Sequence, residues 1–270
     1  MGVAVTRPKD FFIQLENLRH EAGVAARYVY AEMAIQHAAS KSKKLLNRLN
    51  DTPTFWIACG AAFQSAAYIA LGRMFDTTSR YNVEELLKTL EDNLHLFQPA
   101  ALAERKRNGK AEDPDWLAEY LAEAYYPTLA DVLRIRKKVD GHRAVYERAI
   151  KPVRHKYLAH REKQERSEVS ALYAAGTVKE IWRLATFLLQ LHDVLWQLLH
   201  NGRRPVFRAM RYSVKSIFDS SAQGSHAHES MVGEVKKLMA LLETATPNPS
   251  IERTRPGKPG RASHVRRWAS

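Results

Sequence analysis

The stretch TFWIACGAAFQSAAYIALGRMF, residues 54–75, is apolar on nearly every side of a helix. A helix of that kind buries all its faces, so it is predicted to be the central helix of an all-α domain. Its length also matches a membrane span. That reading is set aside because Ala and Gly dominate, Leu and Ile are few, and Gln64 and Ser65 fall mid-span. Small residues instead allow neighbouring helices to approach closely. Arg73 and Asp76 end the helix, where a helix-end salt bridge is expected. Asp76 is alternatively placed to orient a catalytic histidine.

Working outward, residues 8–50 read as one long helix with apolar positions at three and four, among them Phe12, Leu15, Leu18, Ala22, Val29 and Met33. Asn50-Asp51-Thr52-Pro53 breaks it. Downstream, residues 82–94 give a shorter helix, 98–114 a charged exposed loop, and 115–123 a short amphipathic helix. A third core helix begins near Pro127, with Asp140-Gly141 as a candidate bend. Pro152 is expected to kink it just before Arg154. Thr177-Val178-Lys179-Glu180 is a capping box that opens a fourth helix ending at His200-Asn201-Gly202. The segment 203–219 mixes basic and aromatic residues and suits either a nucleic-acid surface or a wrap around the bundle. His226-Ala227-His228 is expected to be a solvent-exposed part of a linker.

This pattern predicts an all-α, up-and-down four-helix bundle with an extra C-terminal helix and a disordered basic tail. The expected organisation is a helical domain at 1–219 with an insertion at about 82–126, a linker at 220–230, a helix at 231–245 and the tail at 246–270.

The net charge of +13 is uneven. Residues 134–166 hold twelve Lys/Arg against four Asp/Glu, and 246–270 hold six against one, which together account for the whole excess. A basic strip with a basic tail is the footprint of a polyanion binder. Cys59 is the single cysteine, expected as a buried small hydrophobe, so no disulfide framework forms within one chain and a cytoplasmic setting fits. The first ten residues lack the apolar core of a signal peptide. No phosphate-binding glycine loop is present, and no His pair has helical ligand spacing with acidic partners. No metal site and no cofactor are therefore expected.

Within the basic strip lies Arg154-His155-Lys156-Tyr157-Leu158-Ala159-His160. Arg is always charged and its fork suits phosphate; His moves a proton near neutral pH. Beside one phosphodiester, the two suffice to cut RNA without a metal. On a regular helix Arg154 and His160 lie about 120° apart around the axis and about 9 Å apart along it, so they point to work across a groove between helices or subunits.

Three features together resemble the HEPN superfamily (higher eukaryote and prokaryote nucleotide-binding), and within it the AbiU-type proteins linked to abortive infection by phage. They are Phe55-Trp56 opening the apolar helix, Leu71-Gly72-Arg73-Met74-Phe75-Asp76 closing it, and Arg154 through Ala159-His160. The second is similar to a Leu-Ser-Arg-Leu-Phe-Asp signature, with Gly72 in place of Ser. A polar residue, often Asn or Asp, commonly follows the Arg; here it is His155. The resemblance implies a metal-independent endoribonuclease built as a two-fold dimer, with Arg154 and His160 catalytic. It also implies that some relatives are binding modules or toxins held by a partner, such as an antitoxin or a nucleotidyltransferase. In that scheme His155, Lys156, Arg161, Asp76 and Arg73 support the site or contact RNA.

Overall fold

The computed structural model describes residues 8–110, 112–155, 177–208, 213–220 and 226–245. Among them there is no strand. The helices are α1 (Pro8–Lys41), α2 (Lys43–Asp51), α3 (Pro53–Phe75), α4 (Val83–Asp92), α5 (Pro99–Arg107), α6 (Leu117–Glu123), α7 (Leu129–Ala149), α8 (Lys151–Val153), α9 (Val178–Asn201), α10 (Val214–Asp219) and α11 (Ala227–Thr244), with a 3₁₀ turn at Leu94–Phe97. The all-α class expected from periodicity is the class observed.

Several boundaries differ from the expected ones. The predicted helix over 8–50 is two helices. The Ser42 side chain accepts from the Leu45 N–H at 3.1 Å and caps α2, so the backbone leaves the helix for one residue while the apolar rhythm runs on. The predicted loop at 98–114 contains α5. Pro99 starts it where an N–H is dispensable, and Leu102 and Ala103 are buried. Asn108 and Gly109 then stop it with positive φ. Asp140-Gly141 does not break α7. The break falls earlier than expected, at Ile150, two residues before Pro152, and Pro152 sits in the first turn of α8. Thr177 caps α9 with Glu180, and Gly202 closes it in the left-handed conformation, φ 55°.

The described residues fall into two compact units, divided after residues 26, 64 and 211. The first and third stretches form the first unit and the second and fourth form the other, so that α1 and α3 each contribute to both. In the first, the α7–α4 pairing is fixed by ions as well as by packing. Arg136 pairs with Glu84 and reaches Glu91 at 3.3 Å, and Arg143 reaches Glu84 at 2.7 Å. Phe75 of α3 stacks on Tyr146 of α7 at 5.6 Å between centroids. Leu184, Leu188, Leu191 and Leu195 supply the buried stripe of α9.

In the second unit, α11 starts at Ala227, ahead of the expected start. His228 is not exposed as expected but 2 % accessible, its ring 4.8 Å from that of Tyr30. Burial holds its imidazole down at about 4. His226 N–H donates to Glu229 at 3.0 Å and turns the chain into the helix, which aims His228 inward.

The expectation for residues 54–75 is met by half. From Ala67 to Phe75 most side chains are buried, but Phe55, Ile57, Ala58, Ala61 and Ala62 are exposed and Cys59 is only half-covered. The N-terminal half of α3 thus carries an uncharged apolar face that the described residues leave open. Gln64 on this helix donates to buried Glu32 of α1 at 2.9 Å. By length and composition α3 is the one helix among the described residues apolar enough to cross a membrane.

Candidate functional site

Arg154 is held where α3 ends. Its N–H closes on the Ile150 carbonyl at 3.0 Å, and the backbone continues through Arg154 and His155 in a wide π-type turn. The side chain then crosses the last turn of α3 to pair with Asp76, the residue directly after that helix. A cation there also opposes the negative end of the helix dipole.

Asp76 is 4 % exposed. Its carboxylate accepts from the Thr78 hydroxyl at 3.0 Å and the Thr78 N–H at 3.3 Å. Burial raises the Asp76 pKa, but the Thr78 donors and the Arg154 guanidinium outweigh it, and the carboxyl lies below its ordinary value. Asp76 is therefore a carboxylate at neutral pH. His155 joins the same group. Its Nε2 is 3.5 Å from the Asp76 carboxylate and 3.2 Å from Arg154 Nη2.

Gly72 completes the seat. A Cβ at this position would lie 2.6 Å from Arg154 Cδ, 2.7 Å from Nε and 2.9 Å from Cζ. The arginine stem rests on the bare α-carbon, and any larger residue displaces it. Tyr146 lies alongside. Burial raises its phenol above the ordinary value, and the neighbouring Arg154 works in the opposite direction. The Arg154 side chain keeps 23 % of its surface exposed and that of His155 48 %.

The structure thus brings Arg154, His155 and Asp76 together. Arg73, one residue along from Gly72, turns the other way and pairs with Glu21 of α1 at 3.0 Å. His160, Lys156 and Arg161 lie outside the described residues. Sequence reading missed Gly72 and Thr78 as parts of the seat. The signal for Gly72 was present, since a glycine stands where the resembled signature has Ser. Thr78 gave none. Among the described residues no three His, Cys, Asp or Glu side chains cluster to hold a metal ion.

The basic strip is more selective than its count suggests. On α7, Arg134 pairs with Asp131, Arg136 with Glu84 and Glu91, Arg143 with Glu84 and Asp140, and Arg148 with Glu180. Only Lys137 and Lys138 of α7 lack an acidic partner among the described residues. Much of the charge is spent on the fold.

An all-helical chain with a charged Arg154–Asp76–His155 cluster at the junction of two core helices is the class of protein that the fold and the cluster define. Comparison with known families narrows it: the model for HEPN_AbiU2, described as AbiU2, matches residues 10–221. The chain belongs to this HEPN family. No curated protein and no solved structure matches it.

Proposed function

We propose that the chain is a metal-independent endoribonuclease acting in phage defence or in a toxin–antitoxin system. The observation that carries this reading is the prepositioned side chain of Arg154, fixed by a buried carboxylate and a glycine seat yet still 23 % exposed.

In the proposed chemistry the 2′-hydroxyl of RNA attacks the adjacent phosphorus, and the bond from phosphorus to the 5′-oxygen breaks. The products are a 2′,3′-cyclic phosphate and a free 5′-hydroxyl. His160 takes the 2′-hydroxyl proton as general base or delivers one to the leaving oxygen as general acid. Arg154 stabilises the charge growing on the phosphorane oxygens. Asp76 keeps Arg154 in place, His155 and Lys156 hold phosphate, and Arg161 serves as a further phosphate contact. DNA lacks the nucleophile and stays intact.

The exposed apolar face of α3 supports a homodimer, in which two His160 residues divide the acid and base roles. We place the protein in the cytoplasm, with RNA as its substrate and an antitoxin or nucleotidyltransferase as a restraining partner.

A second reading has an observation of its own. Arg154 is largely covered and its charge is already met by Asp76, which suits a non-catalytic module that binds RNA, a nucleotide or a protein. Labelled RNA incubated with the full chain in EDTA separates the two. Cleavage by wild type and none by His160→Ala supports the ribonuclease. No cleavage of any RNA, or equal cleavage by the variant, removes it.

A further inference from the structure

Away from Arg154, a second group of cations is arranged differently from those that brace α7. Along the seam of α7 and α9, and on the chain that follows α9, Lys138, Arg183, Arg204 and Arg208 have no acidic partner among the described residues. They are not scattered. The Lys138 ammonium lies 5.2 Å from the centre of the Phe207 ring, and the Arg204 guanidinium 5.8 Å from that of Tyr125. Phe207 stacks on Phe187, which in turn stacks on His142 at 3.7 Å. Arg183 is close enough to His142 to help hold its imidazole neutral, after burial. Arg208 follows Phe207 directly and is exposed.

The contacts also give the order of these groups. Tyr125 N–H bonds the Gly202 carbonyl at 2.6 Å, so Arg204 sits at the start of α7. Lys138 and Phe207 come next, then His142 with Arg183. Arg148 and Glu180 mark the far end of the seam, at 3.3 Å from each other. From Lys138 to the end of α7 is about 16 Å of helix rise, and Arg154 follows that end.

We propose that this seam binds the sugar-phosphate backbone of single-stranded RNA and delivers it toward the end of α7. The proposal rests on the ribonuclease reading only for its direction; the surface itself is argued from charge and geometry. The cations on the other side of the same helix are matched by Glu84 and Glu91 of α4. The acids at the two ends of the seam, Asp131 and Glu180, pair instead with Arg134 and Arg148 and leave Lys138, Arg183, Arg204 and Arg208 unmatched among the described residues. Lys138 and Arg204 are held on ring faces, so little side-chain freedom is lost when phosphate arrives. A line of fixed cations over stacked rings suits a flexible polyanion.

The test uses the full chain and a fluorescein-labelled 2′-O-methyl oligoribonucleotide, which 2′-hydroxyl attack cannot cut. Anisotropy is titrated over a series of salt concentrations. The triple variant Lys138→Gln, Arg204→Gln, Arg208→Gln is expected to bind about tenfold or more weakly, and the slope of log affinity on log salt to shrink by about two. The matched variant Lys43→Gln, Lys44→Gln, Lys237→Gln removes the same charge elsewhere and is expected to stay within about twofold of wild type. Arg208→Gln alone makes a smaller loss in the same direction, and it decides the matter where the triple variant misfolds. Wild-type binding and slope in the seam variants, or an equal loss in the matched variant, overturns the proposal and favours an acidic protein as the occupant. Seam-dependent binding without RNA cleavage leaves the surface standing while the ribonuclease reading falls.

Discussion

The two halves of α3 are built from similar residues and do different things. From Ala67 to Phe75 most of the helix is buried, and it ends at the seat of Gly72 and Asp76 that holds Arg154. From Phe55 to Ala62 it is just as apolar, yet Phe55 is 59 % and Ile57 56 % exposed. Apolarity alone therefore does not say where a helix is buried within one chain. The covered half fixes a charge that would drift if left free. The open half keeps an unmet hydrophobic surface that asks for a second surface to cover it.

Substitutions can break this contrast from either side. The largest effect is expected at Asp76. Asp76→Ala leaves Arg154 without its carboxylate, and RNA cleavage is expected to fall about a hundredfold, in the range seen when a transition-state donor is lost. The fold should lose about 2–3 kcal/mol, because one member of a mostly buried pair remains; urea melts and initial rates measure both. Gly72→Ala comes next. Its Cβ pushes the Arg154 stem aside, and a loss of about tenfold in cleavage is expected with about 1 kcal/mol or less in stability. Unchanged cleavage by Gly72→Ala would mean that Arg154 works from another position.

Acid titration sharpens the same point. The Asp76 carboxyl is depressed in the fold, so the unfolded chain binds its proton first as pH falls. The stability this group contributes is full at neutral pH, above the unfolded value, and is lost as pH drops through the folded value. Melts of wild type between neutral pH and about 3 should show the decline, and those of Asp76→Asn a shallower one. Equal slopes would deny the pair a role in stability. The smallest effect on the fold is expected at the open half. Phe55→Asp should change chain stability by about 0.5 kcal/mol or less, as for other exposed positions, while light scattering shows a dimer turned to monomer. A wild-type oligomer in that variant would move the interface elsewhere.

Much of the fold was legible in the sequence because its signals are local. The Thr177–Glu180 box, the Gly202 stop and the apolar rhythm of α7 and α9 each declare themselves within a few residues. The break at Ser42 was hidden because one cap interrupts the backbone without disturbing the period. The burial of His228 was hidden because His226 and Glu229 turn the chain inward through a contact that composition does not display. At the site, Arg154 and Asp76 were both picked out. Asp76 was expected in a helix-end salt bridge with Arg73, or alternatively as the residue that orients a catalytic histidine. It proved to pair with Arg154, with His155 beside it, while Arg73 pairs with Glu21. The pair joins residues 78 positions apart, and only packing decides such a match. The same holds for the basic strip, where counting could not tell braced cations from free ones.

The central claim is that Asp76 serves the chemistry through Arg154. A double-mutant cycle on RNA cleavage in EDTA tests it most directly, using wild type, Asp76→Asn, Arg154→Ala and the double variant. If Asp76 acts by holding Arg154, the double variant should cut no more slowly than Arg154→Ala alone. Losses that multiply, or an Asp76→Asn protein that cuts at the wild-type rate, would contradict it.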